Sequence, residues 1–316
     1  MKPDARRKPD ASGQMPRSEP SARSINPCSR RNVPEHVLSR HPRIVSALHR
    51  AGVDPFAPQD ELLASLRMLG SGKRRPLLGS SVKVIKGLAK GVKTAVMYLA
   101  PHLDSGTNLC PWASAGCIKV CLKSSGHMAL DMNGIVRLKK SLFYRLFRDQ
   151  FMEDLAEDIA KLERSALRAG LVPAVRLNGT SDILWERTGI IDAFPNVTFY
   201  DYTKAPLGQR PNLPPNYHLT FSLSEVPESM EHAKTWIDAG YNAAAAVSSV
   251  GGETRPDAAR AAAYIIAAGS WHGYPTTDGD ETDVRFWDEG GRWVILYAKG
   301  EATRDDSGFV ARVDMG

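Results

Sequence analysis

The stretch PAVRLNGTSDILWERTGIIDAFPNVTFYDYT, residues 173–203, decides the architecture. It opens with a short apolar run at 173–179, passes a segment near 185–193 whose spacing predicts a helix, and returns to a β-branched and aromatic run at 197–203. Parallel strands cannot be joined by a tight turn; they need a crossover of a dozen or more residues, which this stretch provides.

Working outward, the same rhythm repeats. TAVMYLA (94–100) reads as a buried strand, and residues 131–170 as one long helix with apolar side chains at 142, 143, 146, 147, 151, 155, 159 and 162. YHLTFSLS (217–224), a helix at 227–239, YNAAAAVSS (241–249) and an Ala-rich helix at 256–268 follow. The chain is therefore expected to be α/β, with a parallel sheet that is open or curled into a partial barrel. DVRFWDEGGRWVILYAKG (283–300) alternates about a GG turn and predicts a C-terminal β-hairpin closing one edge.

Upstream the composition changes. Residues 1–32 are Pro, Ser, Arg and Asp with few apolar side chains, so they are expected to form a disordered basic tail. Across 33–91, PEHVLSRHPRIVSALHRAG (34–52) and PQDELLASLRMLGSG (58–72) predict two short helices forming a small cap. GSGKRRPLLGSSVKVIKGLAKGVKT (70–94) reads as a basic, glycine-punctuated connector to the main unit, 92–316.

The 316 residues, 42% hydrophobic and 24% charged, are enough for one enzyme-sized core with an appendage. No window reaches the ~18 uninterrupted apolar residues of a membrane helix. The N-terminal residues lack an apolar signal core, and Asp4, Asp10 and Glu19 oppose a transit-peptide reading, so a cytoplasmic location is expected. The net charge of +6 is unevenly spread: residues 1–100 hold 19 Lys and Arg against 7 Asp and Glu, the rest 22 against 28. The basic N-terminal third is either a solvated tail or an arm for nucleic acid.

Three of the four cysteines, Cys110, Cys117 and Cys121, lie in NLCPWASAGCIKVCLKSSG (108–126) with spacing C-x6-C-x3-C; only Cys28 is elsewhere. A disulfide would leave one thiol unpaired and conflicts with a cytoplasmic chain, and packing alone gives no reason for the clustering. A metal site remains. Structural zinc would recruit a fourth ligand such as His102, Asp104 or His127, although the gaps differ from paired knuckles. A three-thiolate 4Fe–4S cluster would leave one iron open. In parallel α/β sheets the carboxyl ends of strands face the ligand, which puts Asn178, Thr180, Asp182, Asp201, Thr203, Lys204, Ser222, Ser224, Ser248 and Ser249 on the same rim as the cysteine loop.

The succession of CPWASAGCIKVCLKSSGHM after a strand, RLKKSLFYRLF on a helix, VRLNGTSDI, VTFYDYTK and LTFSLS resembles the phage and plasmid "gene product eighty-eight" family, over roughly residues 92–249. That family looks like a distant relative of the radical S-adenosylmethionine (SAM) enzymes, which carry C-x3-C-x2-C after the first strand of a partial (β/α) barrel; the gaps differ here. The resemblance implies a radical-SAM-type partial barrel in which Cys110, Cys117 and Cys121 ligate three irons of a 4Fe–4S cluster. It further implies an open iron chelating SAM, a reducing electron donor, and a deoxyadenosyl radical that takes hydrogen from substrate. Asn178, Thr180 and Asp182 would then hold SAM's amino group or ribose, and Lys204 and Ser222 its carboxylate or an anionic substrate. Tyr200, Tyr202 and Trp185 are either stacking platforms for a base or core aromatics. His127 is a proton donor near the cluster or a solvent-facing loop residue.

Phosphate-loop, dinucleotide, nucleophile-elbow and H-E-x-x-H signatures are absent from the sequence, as are tandem histidines separated by one residue. TTDGDETD (276–283) packs Asp278, Asp280, Glu281 and Asp283 together without EF-hand spacing, reading as a solvated acidic turn or a Mg²⁺ or Ca²⁺ site. Two functions follow. One is a radical-SAM-like iron–sulfur protein of mobile-element origin, acting on nucleic acid or a host component. The other is a non-enzymatic nucleic-acid-binding protein for replication or host takeover, with structural zinc at the cysteine loop.

Overall fold

A computed structural model describes residues 41–80, 82–122 and 131–316. The expected tail over 1–32, Cys28 and His127 lie outside those residues. The chain is mixed α/β. The first helices, α1 (Pro42–Arg50) and α2 (Gln59–Arg67), lead to a short strand β1 (Leu78–Gly79), helix α3 (Val82–Leu88) and strand β2 (Val92–Met97). A five-residue helix α4 (Ala115–Lys119) follows in the cysteine loop, then α5 (Asp131–Leu146), α6 (Arg148–Arg168), β3 (Val172–Arg176), β4 (Thr198–Thr203) and β5 (Tyr217–Ser222). Helix α7 (Ser229–Asp238), β6 (Asn242–Ser249), α8 (Arg255–Ala268), β7 (Ser270–Trp271), β8 (Tyr274–Asp278), β9 (Trp293–Tyr297) and β10 (Ala311–Val313) complete the order.

The ten strands form one sheet in the order β1-β2-β3-β4-β5-β6-β9-β8-β7, with β10 branching from the end of β6, and the path does not close. From β2 through β6 and on to β9 and β8 every pair is parallel; β1 joins β2, and β7 joins β8, antiparallel. Alternation along the strands sorts the two faces. Val175, Phe199, Leu219, Ala245 and Ile295 enter the main core with Leu142, Phe151, Leu155 and Ile159 of α5 and α6. Ala174 and Tyr200 point the other way, into a smaller cluster with Val92 and Val284. Each large apolar side chain so buried contributes about 1.5–3 kcal/mol. On β6 the run of alanines leaves room for α8, whose Ala258 and Ala261 are fully buried.

Four local expectations are corrected. The segment near 185–193 is not an α-helix but a single 3-10 turn, Trp185–Thr188, stopped by Gly189 at φ +77°, a conformation costly for any residue with a Cβ. The helix read as continuous over 131–170 is two, interrupted at Phe147, where φ −131° and ψ 62° leave the helical region. Residues 283–300 form no hairpin: Arg285–Trp287 is a 3-10 turn and WVILY is a parallel strand between β6 and β8. Its apolar side chains reflect burial on both faces rather than an exposed edge. The basic connector is structured, since Leu78 and Gly79 pair with Met97 and Val96 and α3 precedes β2. Helices α1 and α2 place Leu48 and Leu66 in the same core as Leu142 and Phe143.

Candidate functional site

Because β2 to β6 run parallel, the loops after them share one edge of the sheet, and that edge carries the cysteines. The loop after β2 is laced to the loop after β3. Thr180 Oγ1 donates to the Leu99 carbonyl at 2.6 Å, the Asp182 N–H to the Leu109 carbonyl at 2.8 Å, and the Cys110 thiol to the Thr180 carbonyl at 3.6 Å. The His102 N–H reaches Cys110 Sγ at 3.3 Å. Farther along, Ser114 caps α4 by accepting the Cys117 N–H at 3.2 Å. Glu225, just beyond β5, clamps this helix start: one carboxylate oxygen accepts the Ser114 hydroxyl at 2.7 Å and the other the Gly116 N–H at 2.7 Å. A Cβ at Gly116 would press on the Ser307 hydroxyl and stand 2.8 Å from the Glu225 carboxylate, so a larger residue there would push the clamp aside.

No disulfide joins Cys110, Cys117 and Cys121, and all three are half-buried. Burial pushes the Cys110 thiol up to about 12, and the charges of Asp182, Cys121 and Cys117 push in the same direction, which puts the three sulfurs within electrostatic reach. Their chemistry suits a thiophilic metal. Their placement is not that of a preassembled ligand set: among the described residues no group of three or more His, Cys, Asp or Glu could hold a metal ion.

Of the other expected rim residues, three are held by the protein itself. The Asn178 side-chain oxygen accepts from Ser181 Oγ at 2.9 Å, the Ile183 N–H at 2.9 Å and Trp185 Nε1 at 3.1 Å. Thr180 is bound to Leu99 as above. Asp182 accepts from Thr203 Oγ1 at 2.9 Å, Arg210 Nη2 at 2.8 Å and the Lys204 N–H at 2.8 Å. Lys204 and Ser222 differ: Lys204 Nζ donates to Ser222 Oγ at 2.7 Å and lies 5.0 Å from the Phe309 ring centre, and both residues are half-buried. A single cation meeting a hydroxyl and an aromatic face at the rim is suited to an anionic group.

Sequence reasoning missed Arg210, Glu186, Glu225 and Arg176. Arg210, with a fully buried side chain, bridges Asp182 and Glu186 at 2.8 and 3.0 Å. It lies in a proline-rich loop 28 positions from Asp182, so no spacing announces it. Arg176 pairs with Asp283 at 2.8 Å and lies over Tyr202, 5.3 Å from the ring centre. Tyr200 and Trp185 are core aromatics: Tyr200 packs edge-on against Phe286 at 5.3 Å and Trp185 against Tyr144 at 5.4 Å. The acidic run 276–283 is dispersed, with Glu281 on Lys90, Asp280 on Lys299 and Asp283 on Arg176.

No described helix is long and apolar enough to cross a membrane. The family model described as Gene product 88 matches residues 76–313. No curated protein and no solved structure matches the chain.

Proposed function

From a chain that belongs to the Gene product 88 family, we infer a radical-SAM-like iron–sulfur protein whose cluster is held by Cys110, Cys117 and Cys121. The observation that carries this reading is the clustering of three cysteines in one loop at the carboxyl ends of a run of parallel strands. On this reading the parallel strands act as a partial barrel, and the thiols converge when the metal binds, since metal-site formation and local folding are coupled.

A 4Fe–4S cluster on three thiolates supplies an open iron, to which the resemblance assigns SAM. The chain's own residues bind and orient. Glu225 and Ser114 fix the start of α4 and with it Cys117. Asn178, Thr180 and Asp182 set the loops around the site, and Lys204 with Ser222 receives the carboxylate of SAM or an anionic substrate. An electron donor and a nucleic-acid or host substrate complete the proposal.

Purification without oxygen, with iron, sulfide and zinc measured together, tests it. The expected result is a brown protein with about four irons per chain that loses iron in Cys117→Ser. Zinc without colour would replace this reading with the non-enzymatic nucleic-acid-binding one. Full iron occupancy in the variant would remove Cys117 from the ligand set.

A further inference from the structure

Behind the cysteine loop lies a cleft of about 540 Å³, within the range of small-molecule sites. Its walls come from the segment Gly106–Trp112, from the α5–α6 junction with Tyr144, Arg145 and Arg148, and from Asp182–Leu184. We propose that this cleft binds a nucleoside phosphate, with the base against Trp112 and the phosphate between Arg145 and Arg148.

The two arginines carry the anionic half of the argument. Both are exposed on the cleft wall, and the interruption at Phe147 sets them at the end of one helix and the start of the next. Ion pairs among the described residues engage Arg67, Arg74, Arg176 and Arg210 and leave Arg145 and Arg148 out. Arg148 is oriented rather than free to swing, its guanidinium 3.9 Å above the Tyr144 ring centre. Guanidinium groups match phosphate geometry through paired N–H donors. The carboxylate on the wall, Asp182, already accepts from Thr203, Arg210 and the Lys204 N–H, so it is not an unpaired counter-charge.

Trp112 carries the aromatic half. The other five tryptophans each face another ring, whereas Trp112 is half-buried on the cleft wall with no ring partner among the described residues. An indole left out of the core beside two guanidinium groups that no carboxylate engages among the described residues is a stacking surface for a planar base.

Equilibrium dialysis of the full chain against AMP, UMP, adenosine, inorganic phosphate and a short single-stranded oligonucleotide tests the proposal. Saturable nucleotide binding is expected, tighter than that of adenosine or phosphate alone. Arg145→Ala, Arg148→Ala and Trp112→Ala should each weaken it on the order of tenfold, with Trp112→Phe retaining most of the affinity. Melting curves matching the parent exclude misfolding, and metal content equal to the parent separates this site from the cysteine loop. Mononucleotides binding as well as the strand identify a free nucleotide; a preference for the strand, lost in the same variants, identifies a nucleotide unit within a chain. No saturable binding, indifference to the three alanine substitutions, or phosphate binding as tightly as nucleotide would overturn the proposal.

Discussion

Asp201 is 1% exposed and accepts the Leu177 and Asn178 N–H groups at 3.2 and 3.0 Å and the Tyr217 hydroxyl at 3.2 Å. Burial outweighs these bonds and the nearby Arg176, lifting its carboxyl to about 7. A carboxyl whose folded value is raised binds its proton more tightly in the native state, so stability falls as pH rises from the ordinary carboxylate range towards 7. Urea unfolding between pH 4 and 7 is expected to show this decline in the parent and a flatter profile in Asp201→Asn. Parallel profiles would show that Asp201 stays ionised. Glu225 makes a second residue-scale prediction. Removing its clamp in Glu225→Ala deprives α4 of a capping partner worth about 1 kcal/mol, raising loop opening roughly fivefold. Alkylation of Cys117, followed by peptide mass spectrometry, should accelerate by that factor.

At the scale of elements, the staple between the N-terminal segment and α6 makes the next prediction. Asp158 accepts the Leu77 N–H at 2.6 Å and Arg74 Nη2 at 2.5 Å, while Asp154 takes Arg67 through two bonds of 2.7 and 2.8 Å. Asp158→Ala leaves the buried Leu77 N–H without its acceptor and takes one of three carboxylates from the half-buried Arg74, which keeps Glu157 at 3.2 Å, a loss of about 2 kcal/mol. Urea denaturation measures the loss, and limited proteolysis should cut first between 68 and 80. None of this staple was legible in the sequence, where KRR at 73–75 reads as part of a basic, glycine-punctuated connector. What was legible rests on burial: the runs at 94–97, 198–203, 217–222 and 242–249 are strands because both faces of a parallel sheet are covered. The misread elements turn on single backbone positions, Gly189 and Phe147, and on WVILY, whose pattern fits a hairpin arm or a parallel strand until its neighbours are known. In the site, clustering in sequence revealed the cysteines, whereas Arg210 and Glu225 reach it only through the topology of the sheet.

For the whole molecule, the charge asymmetry has to be divided before it predicts anything. Residues 1–40 hold 9 Lys and Arg against 4 Asp and Glu, and residues 41–100 hold 10 against 3. In the second group Arg67 and Arg74 are tied to α6 carboxylates and Lys90 to Glu281, so part of that excess is neutralised within the fold. Removing residues 1–91 would also take away Leu48 and Leu66 from the main core, confounding loss of binding with loss of structure. The informative deletion is therefore residues 1–40. If the second reading of the function applies, affinity of the full chain for single-stranded nucleic acid falls steeply with salt, by a log–log slope of about 0.7 per phosphate neutralised. The deletion is then expected to flatten that slope. A slope unchanged by the deletion would move the electrostatic contact onto the folded part, where Arg145 and Arg148 stand at the cleft.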